Sequence, residues 1–450
     1  MKKFILPLLI LSATFLFSSC KDYNSHSLTA VDTGTADFSK YVAVGNSLTA
    51  GYSNGALYQE AQKYSYPNLI ARQLHIKDFE QPLVSSPGIG NRLEVNNFET
   101  FSITANTQMG TPLNATLDRP YDNLGIPGAV LVDYSNDNDQ GQLKERATNT
   151  NRLDFNPFYQ LIMRTELQKA APNINDLVTA LNPTFVTFWL GNNDALGYVL
   201  DGGAGRSLLP PATFQALMQR AGQLLGALPK AKVAIMNIPN VTDIPFVFQT
   251  NAQLQQEGMI KLDSLNQYQL VTQQGDLNIY IKTKDTTRVM MKNDFLLLTA
   301  QQYLATADPT KGALITPQGA IPSQYVLDGP AGGQPGSSEL EQAIGAVAQY
   351  NAAINAVVQA NPDKFMLVNI NGFFSRIITN YQTKGYGELA DGDTLNPVIG
   401  SIFGLDGIHP TSKGYALVAN EIIDAVNSKY NAKIPDVDVR QIPLGLPWAK

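Results

Sequence analysis

The chain has 450 residues, 44% of them hydrophobic and 16% charged, enough for one large or two ordinary cores. Its net charge of -6 argues against a nucleic-acid binder, which would carry a basic face, and no charge run is long enough to act as a polyelectrolyte tail. A single cysteine, Cys20, and three scattered histidines, His26, His75 and His409, argue against a disulfide, a cysteine nucleophile in the folded body and any Cys- or His-rich metal site.

At the N-terminus, Lys2 and Lys3 precede an apolar stretch from Phe4 to Phe17, and Ser18-Ser19 places small residues before Cys20. The stretch is too short for a membrane span of about 20 residues. Residues 1–20 resemble a bacterial lipoprotein signal. That resemblance implies lipidation of Cys20, export, and attachment to the outer membrane through the lipid. Lys21-Asp22 is loosely similar to the export tags of surface lipoproteins in Bacteroidetes-type bacteria. Residues 21–37, rich in Ser, Thr, Asp and Gly, read as a flexible tether.

Beyond the tether, short apolar runs alternate with amphipathic segments, the pattern of an α/β domain over 38–432. Tyr41-Val42-Ala43-Val44 reads as a buried strand ending at Gly45, and Tyr66 to Leu74 as a helix. Phe185 to Leu190 is a second strand, ending at Gly191. The helical Thr213 to Leu228 precedes a third, Val233 to Ile238. The long helical stretch Ser338 to Ala360 precedes a fourth, Phe365 to Ile370, and Gly414 to Val426 forms a last helix. Apolar strands separated by helices favour a parallel sheet covered on both faces, which binds ligands at the strands' carboxyl ends. Two regions break the rhythm, about 86–119 and 242–336, and read as insertions near the mouth of the site. The second holds a β-like piece, Leu277 to Val289, and a Gly/Pro-rich end from Asp328 to Gly333. Residues 433–450 read as a C-terminal extension.

Past the first strand lies Gly45-Asn46-Ser47-Leu48-Thr49-Ala50-Gly51, which exposes a serine at the sheet's carboxyl edge where a helix N-terminus favours developing negative charge. Alone, such a serine can equally be a mere N-cap. Near the C-terminus lies Asp406-Gly407-Ile408-His409-Pro410. Serine needs a base to become a nucleophile, and a carboxylate orients the histidine that serves as one. Asp and His three apart on one loop can meet at little conformational cost.

Together these blocks resemble the GDSL, or SGNH, hydrolase superfamily. The resemblance rests on Gly45-Asn46-Ser47-Leu48, Asn123-Leu124-Gly125-Ile126-Pro127-Gly128-Ala129, Gly191-Asn192-Asn193-Asp194 and Asp406-x-x-His409. It implies a flavodoxin-like three-layer sandwich with a parallel sheet of about five strands and loop insertions. It also implies a catalytic triad of Ser47, Asp406 and His409, with an oxyanion hole formed by the Ser47 and Gly128 N–H groups and the Asn193 amide. No cofactor or metal is required. Its implied substrate is an ester, whether an acetylated glycan, a short-chain ester or a lipid, and nucleic acid is no partner. Two other readings stay open at this stage: a catalytically silent glycan- or lipid-binding lipoprotein, and an acyltransferase. Other features read as structural. His75 lies on an amphipathic segment, His26 in the tether and Trp189 in the core. Asp133 to Gly141 is similar to a calcium loop but lacks its glycine placement and closing Glu, and Asp391-Gly392-Asp393 reads as a turn.

Overall fold

The computed structural model describes residues 30–97, 102–135, 150–151, 155–163, 173–330, 336, 338–384, 387–388, 394–395 and 399–449. The signal-like segment with Cys20, His26, the larger part of the calcium-like stretch, and Asp391 to Asp393 lie outside them.

Five strands form the central sheet: β1 (Tyr41–Gly45), β2 (Asn123–Gly125), β3 (Phe185–Trp189), β4 (Lys232–Met236) and β5 (Phe365–Val368). Their order is β5-β4-β3-β1-β2, every pairing is parallel, and this is the flavodoxin-like arrangement. Four of the strands coincide with apolar runs of the sequence. The fifth, β2, is a three-residue strand whose apolar signal is too short to read.

Alternation along the strands sends side chains to two faces. Val42, Val44, Val186, Phe188, Val233 and Ile235 pack one face beneath α3 (Ile174–Leu181), α4 (Asn193–Leu200), α5 (Pro211–Ala227) and α7 (Glu339–Ala360). Tyr41, Ala43, Phe185, Trp189, Ala234 and Met236 pack the other, beneath α2 (Tyr66–Gln73), α8 (Ile370–Lys384) and α9 (Ser412–Tyr430). Each fully buried side chain of this size stabilises the fold by about 1.5–3 kcal/mol. Local signals fix the helix starts. Ser338 and Glu341 form a capping box at α7, and the Thr411 side chain accepts from Gly414 N–H at α9.

The described segments flanking the sandwich, from Asp32 and up to Ala449, are more firmly held than their composition suggests. Thr35 N–H donates to Tyr430 O at 2.9 Å, Lys433 N–H donates to Asp32 O at 2.7 Å, and Phe38 stacks on Phe185. The expected tether is therefore packed against the body from about Asp32 onward. The C-terminal extension is likewise part of the fold. Ile434, Val437, Val439 and Ile442 are buried in the second core, and residue Val95 exchanges backbone hydrogen bonds with Pro447 and Ala449.

The two insertions sit differently, and Phe246 of the second donates its N–H to Gly407 O at 2.8 Å. Within 86–119, an antiparallel hairpin (Arg92–Asn97 with Ser102–Asn106) backs the loop 52–58 instead of the site mouth. Within 242–336, α6 (Pro245–Gln256) leads into small antiparallel sheets around a core of their own that includes Tyr268, Ile281, Met290 and Ile321. Buried Asp294 ties this region together, accepting both terminal Arg288 nitrogens and the Met291 and Gly329 N–H groups.

Candidate active site

Ser47 opens the short helix α1 (Ser47–Ala50), directly after β1. Asn46 Oδ1 caps that helix by accepting Leu48 N–H at 3.0 Å, and Gly51 closes it with φ of 79°. The turn is tight: a Cβ on Gly45 would stand 2.8 Å from Trp189 O on the neighbouring strand.

Asp406 and His409 come from a loop before α9. His409 Nε2 lies 2.9 Å from Ser47 Oγ, and His409 Nδ1 lies 3.0 Å from Asp406 Oδ2. Asp406 Oδ1 accepts Ile408 and His409 N–H, both at 2.9 Å, while Oδ2 also accepts Gly55 N–H at 2.8 Å. Burial alone would raise the Asp406 pKa. The charge of His409 and the hydrogen bonds from His409 and Ile408 outweigh it and hold the carboxyl below its ordinary range. The Tyr52 ring rests against the His409 ring, with centroids 4.7 Å apart. Burial and then the charge of Asp406 push the Tyr52 phenol up, so it stays neutral.

The loop 53–55 braces the Asp406–His409 loop from outside, a role that no sequence motif announced. Ser53 Oγ donates to Pro410 O at 2.9 Å, Leu405 N–H donates to Asn54 Oδ1 at 2.9 Å, and Gly55 N–H holds the carboxylate. Asn54 is fully buried with φ of 53°, and its amide donates to Ser53 Oγ, Tyr58 Oη and Gly445 O. The only sequence hint is the Asn54-Gly55 pair, which marks a turn.

Gly128 follows β2 with φ of 81°, a conformation suited to glycine, and a Cβ there would meet Asn156 Nδ2 at 2.9 Å. Among the described residues neither Ser47 N–H nor Gly128 N–H is spent on a hydrogen bond within the chain. The loop carrying Gly128 is braced on both sides. Asn156 Nδ2 donates to Pro127 O at 2.6 Å, and Leu131 N–H donates to Asp194 Oδ2 at 3.0 Å. Asn193, at the start of α4, uses one amide hydrogen on Ala129 O at 2.8 Å, leaving the other for a ligand. Ser47, Gly128, Asn193 and His409 all line one groove.

The weaker candidates stand apart from this site. His75 is exposed just beyond α2, Trp189 is buried with its Nε1 donating to Asn237 O, and Asp133 Oδ2 accepts Val130 N–H. Among the described residues, no three His, Cys, Asp or Glu side chains converge to hold a metal ion.

Residues 41–281, more than half of the chain, match the GDSL-like Lipase/Acylhydrolase family. The chain belongs to that family. The parallel sheet and its strand order are those of the SGNH-hydrolase fold. The matched span ends before Asp406 and His409, whose placement rests on the geometry above. No curated protein matches this GDSL hydrolase in sequence. Two solved structures show slight likeness. One is LAE5, described as an alpha/beta hydrolase enzyme from the metagenome of Lake Arreo, Spain. It is 11% identical with a TM-score of 0.36, and the match covers 88% of this chain and 97% of that one. The other is BT4096, described as a gut microbial diltiazem-metabolizing enzyme. It is 12% identical with a TM-score of 0.31, covering 88% of this chain and 49% of that one, so the hydrolase spans about half its length. Neither likeness is strong enough to carry an argument.

In this GDSL hydrolase two cavities meet at Ser47, Asn193, Leu196, Ile408 and His409. The groove that holds Gly128 has about 1560 Å³ of empty space, including its open mouth, and exposed Pro157, Arg206 and Ser207 on its walls. The second is smaller, with about 640 Å³ of empty space on the same measure, its open mouth included, and has a largely apolar wall. Of the insertions, only Ile244 lines either cavity among the described residues.

Proposed function

We propose that the chain is a serine esterase, cleaving carboxylic esters through Ser47, His409 and Asp406 by way of an acyl-enzyme. The observation that carries this reading is the unbroken relay Ser47 Oγ to His409 Nε2 at 2.9 Å and His409 Nδ1 to Asp406 Oδ2 at 3.0 Å. His409 takes the Ser47 proton as Oγ attacks the ester carbonyl, and Asp406 stabilises the imidazolium that forms. The Ser47 and Gly128 N–H groups and the free Asn193 amide hydrogen receive the negative charge that builds on the carbonyl oxygen. His409 then protonates the departing alcohol. Water, deprotonated by the same histidine, attacks the acyl group, and the acid leaves as Ser47 regains its proton.

The test is to trap the intermediate. Acid quenching during turnover of a p-nitrophenyl ester should leave an intact-mass adduct equal to the acyl group, mapped to the Ser47 peptide and absent from Ser47→Ala. Turnover with the acyl group on another residue would rule out this mechanism.

The N-terminal pattern supports export and attachment to the outer membrane through lipidated Cys20. Labelled palmitate fed to expressing bacteria should enter the wild type and not Cys20→Ser; equal labelling of both would remove Cys20 from this role.

A further inference from the structure

We propose that the acyl part of the substrate is an extended apolar chain, longer than acetyl, seated in the smaller cavity, with the alcohol part in the open groove. This rests on the esterase reading above.

The cavity is walled by Leu48, Ile238, Val241, Val347, Phe374 and Phe403, and every residue lining it is buried or half-buried.

Reaction order decides which part goes where. After attack the acyl group stays on Ser47 Oγ, while the alcohol must depart and water must arrive beside His409. A narrow apolar cavity retains; a wide groove with exposed walls releases and admits water. The groove's exposed Pro157, Arg206 and Ser207 suit a solvated leaving group.

The cavity wall is also built to keep its shape. Ile238 N–H donates to Asn351 Oδ1 at 2.8 Å, and Ile238 O accepts from both the Asn351 and Asn371 amides at 2.8 Å. Asn240 is held by Asn371, Ser375 and Asp243. A wall fixed by this amide network pays little ordering cost when a chain enters and sets a limit on its length. An acetyl methyl would leave most of that wall wet. Each added methylene that fits is worth about 0.8 kcal/mol, about fourfold in kcat/KM.

The experiment is a kcat/KM series on p-nitrophenyl acetate, butyrate, hexanoate, octanoate and decanoate, with wild type and Val347→Phe. The wild type should gain about tenfold or more from acetate to butyrate, then peak and decline. Val347→Phe, which fills the cavity from α7, should lower the hexanoate-to-acetate ratio by about tenfold or more. If it melts early, Ile244→Phe at the half-buried edge of the cavity replaces it. Acetate as the best substrate, or an unchanged ratio in a folded variant, would overturn the assignment while leaving the esterase reading intact. No turnover on any ester would remove the esterase reading, and the acyl assignment with it.

Discussion

The two halves of the site are supported in different ways. Ser47, Gly128 and Asn193 follow β1, β2 and β3, which lie side by side, with Gly45, Gly125 and Trp189 in one row of the register. The sheet itself sets the spacing of the proposed nucleophile and oxyanion donors. Asp406 and His409 sit on a loop that no central strand feeds. Hydrogen bonds from residues 53–55, about 350 residues away in the chain, help hold them, as does Phe246 N–H, which donates to Gly407 O at 2.8 Å. The first half is built on paired strands, whereas the second combines backbone bonds within its own loop, such as Gly404 N–H to His409 O at 2.7 Å, with contacts from a distant loop.

Substitutions should separate these two kinds of support. The largest effect is expected for His409→Ala, which removes the proposed base: kcat should fall by about 10⁴-fold or more in a variant that still folds. A smaller loss would mean that another group accepts the Ser47 proton. Asn193→Ala, on the sheet-supported half, should cost about 10²–10³-fold in kcat, the scale of one oxyanion donor, with KM nearly constant. An equal rise in KM would indicate ordinary substrate binding instead.

Asn54→Ala tests the loop-supported half. It strands the Leu405 N–H and should destabilise the fold by about 1–3 kcal/mol. The displaced acid–base loop should lower kcat by about tenfold to a hundredfold, with little change in KM. Loss of stability with full kcat would show that Asn54 holds the fold and not the catalytic geometry.

The smallest effects are in pH dependence, and two buried carboxylates should behave oppositely. The Asp406 carboxyl is held below its ordinary value, so its stabilising contribution is present above about pH 4 and is lost as pH falls through its lower folded value. Asp328, in the insertion, is raised from its ordinary 3.8 to about 6, burial outweighing the nearby Arg288. The folded state therefore binds its proton first. That contribution is present below about pH 4 and lost as pH rises through about 6. Melting curves between pH 4 and 7 should show a shallower slope for Asp328→Asn than for wild type, and an identical slope would contradict the shift.

The sheet-supported half was also the legible half. Apolar runs ending at Gly45 and Gly191 located two strand ends, and the motif residues follow them in sequence. Even β2, hidden as a strand, carried Gly128 within a recognisable block. The Asp406–His409 pair was legible from spacing, but its supports were not. Asn54 acts on a backbone N–H far along the chain, a contact that leaves no local periodicity. The same reason hid the packing of Asp32 to Ala36 and of residues 433–449, which is made through backbone bonds and isolated apolar residues. The insertions were visible as breaks in rhythm. Where they pack was not, because position in space is set by the cores they build.

The most direct test of the central claim is fluorophosphonate labelling of the soluble chain beginning after Cys20, read by intact mass, with wild type and Ser47→Ala side by side. The account predicts one adduct on the wild type and none on the variant. No adduct on a folded wild type, or an equal adduct on both, would contradict an activated Ser47.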